Sequence, residues 1–188
     1  MRNSRTVTMK KIILTITLFF LLDFTFGQDK KPSKNNIHIK SYGQKILDGK
    51  VKPTEDKQTF QIMDSLLAIY SQDADFYFNV FNKILQTSDG ALSEHVSTLA
   101  SKYYLDFTNR FLPRTKKLDT TNLNTWFYMI AYDLHMKNND GEKGLPKIKT
   151  NLKNKTCSNF VIVGRDLDFL FECNDKIYAR LEKMEKEN

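Results

Sequence analysis

The sequence predicts an all-α protein, an up-down helical bundle or a short stack of helical hairpins with about five to six helices. Three observations carry that expectation. Only seven glycines and four prolines punctuate 188 residues, so long segments run between breakers, which favours helices over a turn-rich β-sandwich. Apolar residues recur at intervals of three and four through most of the chain, the period of one helix face. The composition, 40% hydrophobic and 27% charged, is that of an ordinary folded domain, neither disordered nor fibrous.

Residues 1–27 read as a secretory signal peptide. A cationic stretch ends at Lys10 and Lys11, the apolar run Ile12–Leu22 follows, and Thr25 and Gly27 stand at the small positions of a cleavage site. The run is 11 residues long, against about 20 for a helix that spans a bilayer, and Asp23 closes it. No transmembrane helix is expected after cleavage. Met9, followed by two lysines, would serve as a start as well as Met1 does. The expected address is exported, periplasmic or secreted. No cysteine lies near the cleavage site, which argues against a lipid anchor.

Residues 28–53 are polar, with Lys30 to Asn36 at the front, and read as a flexible tether. Ile37 to Ile39 alternate and could form one short extended piece. A single domain is expected over 54–188. Its length, with the tether about 160 residues, suits one core.

Thr54 is expected to cap the first helix, with Phe60, Met63, Leu67 and Tyr70 on its apolar face. A second helix follows from about Ala74 to Thr87 with Tyr77, Val80, Phe81 and Ile84, and Ser88–Gly90 stops it. The third carries Leu92, Val96, Leu99, Tyr103, Phe107 and Phe111. It should run unbroken for about 30 Å, the width of a small domain, until Pro113 ends it. Asn122 is expected to cap a fourth helix with Trp126, Phe127, Ile130 and Leu134. A short basic helix follows around Ile148 and Leu152, with Pro146 in its first turn. Phe160 to Val163 are β-branched and ambiguous. The last helix starts near Arg165 and carries Leu170, Cys173, Ile177 and Leu181, and its charged end from Glu182 should fray. Phe76–Val80 and Tyr103–Phe107 match in character at an offset of 27, as do Asn82–Leu85 and Asn109–Leu112, so a helical repeat is an open alternative.

Few residues point to chemistry. Cys157 and Cys173 are the only cysteines, and an even count in an exported chain favours a disulfide over two buried thiols. Their spacing does not suit a zinc motif. His38, His95 and His135 make no helical metal pair, and His95 reads as solvated or capping. Asn138 to Glu142 resemble part of a calcium loop, but Met136 and Lys147 stand where ligands belong, so the segment reads as a turn. No nucleophile elbow, phosphate loop or dinucleotide fingerprint occurs, and neither a metal nor a cofactor is implied. Asp73 and Asp75, like Asp166 and Asp168, are two apart and read as helix starts.

The leader holds four of the 29 basic and one of the 22 acidic residues, which leaves the rest at a net +4. With both signs interspersed, a nucleic-acid partner is not expected. Consecutive aromatics at 76–81, 103–111 and 126–132 cannot all face one core, so some could line a groove for a peptide, protein or glycan. The function expected is an exported, non-catalytic helical domain acting by protein or ligand binding at the cell envelope, an immunity protein being one form. The alternative is a small exported hydrolase using carboxylates scattered in sequence. A pocket holding two carboxylates with opposed pKa shifts would favour the enzyme, and a shallow aromatic groove would favour binding.

Overall fold

A computed structural model of the protein describes residues 34–68, 72–159 and 166–187. Its regular structure is helical throughout: α1 Lys34–Leu47, α2 Lys57–Asp64, α3 Ala74–Thr87, α4 Gly90–Asp106, α5 Thr108–Thr115, α6 Thr120–Met136, α7 Leu145–Ser158 and α8 Asp166–Glu187. Short 3₁₀ turns lie at Ser65–Leu67 and Gly141–Gly144. The expected leader, residues 28–33 of the expected tether and the ambiguous Phe160–Val163 lie outside the described residues.

The helices outnumber the five to six expected for two reasons. The first is α1, which forms in the segment read as a tether. Ile39, Tyr42 and Ile46 sit at helical spacing between polar neighbours, and Tyr42 and Ile46 are buried. Gly43 is buried between them: a Cβ there would meet the side chains of Ile62 and Phe76, so α1 lies close on α2 and α3. Ile37 to Ile39 are accordingly helical rather than extended.

The second is a break in the expected long helix. Phe107 leaves helical geometry at φ −128°, ψ 40°, and separates α4 from α5. A stripe that steps by four almost every time turns about 100° around a straight helix between Leu92 and Phe111, so an unbroken rod could not keep both ends facing one core. The break lets Leu99, Tyr103 and Phe111 all be buried while Phe107 stays half-buried. Pro113 does not end the helix; it lies inside α5, which runs on to Thr115.

Capping differs from expectation in the same local way. Asp56, not Thr54, opens α2: its Oδ1 accepts from the backbone N–H groups of Gln58 and Thr59, both at 2.8 Å. Thr54 donates to the other oxygen at 2.7 Å, and the Tyr42 hydroxyl does so at 3.1 Å, which ties α1 to α2. Asp119, not Asn122, opens α6 by accepting from the Asn122 N–H at 2.8 Å.

The core gathers on α6, which packs along α4 on one side and α8 on the other, while α7 lies against both α4 and α8. Trp126 is fully buried at its centre. Phe78 stacks on it with ring centroids 5.5 Å apart, Phe111 meets it edge-on at 5.3 Å, and Asn82 accepts from its indole N–H at 3.0 Å. The 27-residue offset marks no structural repeat. Its first copy lies within α3, whereas the second straddles the break at Phe107.

Cys157 and Cys173 are free thiols, so the expected disulfide is not formed. Thr156 and Asn174 occupy the facing positions of α7 and α8, with Asn174 Nδ2 donating to Thr156 Oγ1 at 3.1 Å. Each cysteine is one residue away on its helix and hence turned by about 100° from that contact. Nor does the charged end of α8 fray: the Glu185 side chain is 5% exposed and bound to His135. Among the described residues no helix is long and apolar enough to cross a membrane.

Candidate binding groove

The basic helix α7 shows two faces. Pro146 sits in its first turn, where its missing N–H costs nothing. Leu145, Leu152 and Thr156 are buried. The outer face carries lysines: 147, 149, 153 and 155, with no acidic residue anywhere in the helix. On α8, Leu170, Cys173, Asn174, Ile177 and Leu181 form the buried stripe. Phe171 and Tyr178 stand beside it, seven residues apart and therefore on one flank.

Where these helices meet, Lys149, Lys153, Phe171, Asn174, Asp175 and Tyr178 surround a groove of about 320 Å³ floored by Leu152. The Lys149 ammonium lies over the Tyr178 ring, 4.6 Å from its centroid, and that of Lys153 lies 5.9 Å from the centroid of Phe171. Phe171 is 37% exposed, one of three large hydrophobic side chains so open among the described residues. Beneath the floor, the buried Tyr104 hydroxyl donates to Asn174 Oδ1 at 2.7 Å, and Asn174 in turn donates to Thr156. This chain locks α4, α7 and α8 together, so the groove is carried on fixed helices. Burial pushes the Tyr104 hydroxyl well above the ordinary tyrosine range, so it remains a donor.

A second depression, about 490 Å³, lies between the start of α4 and the outer face of α6. Tyr128 and Tyr132 stack there with centroids 6.4 Å apart, and Tyr128 and Met136 are exposed. Of the three aromatic clusters in the sequence, this is the one that reaches the surface as a pair; Phe78, Phe81, Tyr103, Phe111 and Trp126 are core. A third hollow beside Phe78 is rimmed by Arg114 and Asp75, whose ion pair at 2.7 Å spans it.

The titratable groups offer little chemistry. Lys50 and then Gln44 hold the Asp48 carboxyl below its ordinary value. Burial pushes the Asp56 carboxyl up, but the Thr59 N–H and the hydroxyls of Thr54, Tyr42 and Thr59 outweigh it and leave Asp56 low. Glu185 is low for the same reason: burial raises it, while Asn138 and His135 lower it further. Among the described residues all the shifted carboxylates therefore move down, and none forms the raised partner of an acid–base pair. His38, His95 and His135 lie on three different helices. His95 is half-buried: its ring meets Phe60 edge-on at 4.8 Å and its buried Nε2 has no hydrogen-bond partner among the described residues. No group of three His, Cys, Asp or Glu side chains is gathered for a metal among the described residues.

Of the expected cysteine pair, Cys173 is buried in the core and Cys157 packs half-buried against it, and the residues that shape the groove are ones that sequence reasoning did not single out. The available signal was Phe171 and Tyr178, seven apart and off the apolar stripe, opposite Lys149 and Lys153, four apart. No protein-family model, curated protein or solved structure matches this chain.

Proposed function

We propose that the protein is an exported, non-catalytic helical domain that binds another protein or a peptide in the groove between α7 and α8. The observation that carries this reading is the wall of Phe171 and Tyr178 with Lys149 and Lys153 laid over the rings, built on helices locked by the Tyr104–Asn174–Thr156 chain. Aromatic side chains that offer a large rigid surface beside polar groups are what recognition sites use. The volume is at the lower end of ligand pockets, roughly 300–1,000 Å³, and fits one or two anchoring side chains of a larger partner. The leader read in residues 1–27 supports an extracytoplasmic address.

Selection of a displayed random-peptide library on the mature protein tests it. Selected peptides should bind wild type and lose about tenfold or more in affinity on Phe171→Ala and Tyr178→Ala, as expected for anchor pockets. Both variants should keep the wild-type circular dichroism. Binding that ignores both substitutions, or no selected peptide at all, would overturn the proposal.

A further inference from the structure

Resting on that reading of the groove, we infer that its ligand is an acidic peptide segment, two carboxylates of which engage Lys149 and Lys153 while an apolar side chain seats between Phe171 and Tyr178. The charge of the site points this way. Its lining holds two lysines against the single carboxylate of Asp175. Among the described residues neither Lys149 nor Lys153 meets a carboxylate, and the contacts each makes are with the rings. On the same helix Lys155 pairs with Asp106 at 2.8 Å, and Lys116, which also lies over a ring, pairs with Asp166 at 3.1 Å, so a ring contact leaves a lysine able to pair. The two groove lysines are thus cations held in place by aromatic faces, with ion-pairing capacity left over.

The spacing is specific. Residues four apart on a helix rise by about 6 Å along its axis. Alternate residues of an extended peptide are separated by about 6.6 Å and point the same way. A ligand of the pattern acid-aromatic-acid therefore places two carboxylates at the lysines of α7 and turns the ring between them to the opposite side, toward Phe171 and Tyr178 on α8. Such a ligand uses complementary charge for orientation and the buried ring for affinity.

The experiment is fluorescence anisotropy with the mature protein and three labelled peptides, Gly-Glu-Phe-Glu-Gly and its glutamine and lysine counterparts. The glutamate peptide should bind, weaken as sodium chloride rises, and lose about tenfold or more on Lys149→Glu/Lys153→Glu. That double variant should instead bind the lysine peptide. Both lysines are exposed, so the variant should keep the wild-type melting curve. If the glutamine peptide binds as well as the glutamate one and still depends on Phe171, the acidic ligand is wrong while the groove remains a binding site. If no peptide binds in any charge form, the acidic ligand is wrong, and the library selection decides separately whether the groove is a binding site. Co-sedimentation with phosphatidylglycerol vesicles in the absence of peptide binding would also overturn the inference, in favour of a membrane surface.

Discussion

Glu185 stands three residues before the chain's end, yet its side chain is almost fully enclosed. Its Oε1 accepts from Asn138 Nδ2 at 2.8 Å and meets His135 Nδ1 at the same distance, so His135 presents its Nδ1–H to it. One carboxylate thus joins the end of α8 to the end of α6 and to the turn after it. Asn138 also donates to the Gly141 carbonyl at 2.7 Å, which shapes that turn. Burial raises the Glu185 carboxyl, but Asn138 and His135 outweigh it, and its folded pKa lies below the ordinary value. A depressed carboxyl stabilises the fold above its unfolded pKa, about 4.3, and that contribution is lost as pH falls through the lower folded value. Glu185→Gln should therefore be less stable than wild type at pH 7, and the gap should narrow as pH falls below about 4. Urea melts at pH 7 and pH 3 check this. A gap that does not change with pH would show that the carboxylate is not held charged by these partners.

At the scale of elements, two helices test the architecture. Leu99 is buried in the middle of α4, whereas Lys102, three residues on, is exposed. Leu99→Ala should cost about 2–5 kcal/mol, the range for truncating a packed core residue, and Lys102→Ala should stay within about 0.5 kcal/mol. Ile46 on α1 is 1% exposed, so Ile46→Ala belongs with Leu99→Ala, about 2–5 kcal/mol, and not with a tether residue, which would cost nothing measurable. Denaturant melts of the three variants decide. A silent Ile46→Ala would detach α1 from the core. A silent Leu99→Ala would mean that the stripe of α4 is misphased.

The whole molecule is organised about α6, with α4 and α8 on either side and an aromatic cluster closed around Trp126. The candidate site lies on α7 and α8, not at this centre, so groove variants and core variants should separate cleanly: the first change binding and the second stability. Export and thiol state belong to this scale as well. Secreted with its own leader by a Gram-negative host, the protein should begin near Gln28 and carry two free thiols per chain. Cys173 is buried in the apolar stripe of α8, and its thiol is pushed up to about 12 by that burial and by Glu172. At neutral pH almost none of it is the thiolate that disulfide chemistry requires. Intact-mass measurement after alkylation of the unfolded protein checks both points. A chain still carrying residues 1–27 would overturn the leader, and a product with no thiol to alkylate would overturn the free cysteines.

The 3.6-residue period of apolar side chains was enough to locate α3, α4, α6, α7 and α8, because a helix that buries one face must repeat that way and the repeat is a local property of the chain. The all-helical class follows from the same signal together with the scarcity of breakers. Tertiary structure decided the rest. Asp56 prevails over Thr54 as a cap because the Tyr42 hydroxyl and the Thr54 hydroxyl converge on it. The segment around Ile46 becomes a helix because α2 and α3 offer it a surface against Gly43. The rod breaks at Phe107 because its stripe must face a single core. Asn138 and Glu185, like Thr156 and Asn174, meet across long stretches of chain. No local window contains both members of such a pair, so the groove and the polar ties that hold it come into being only when helices distant in sequence are packed side by side.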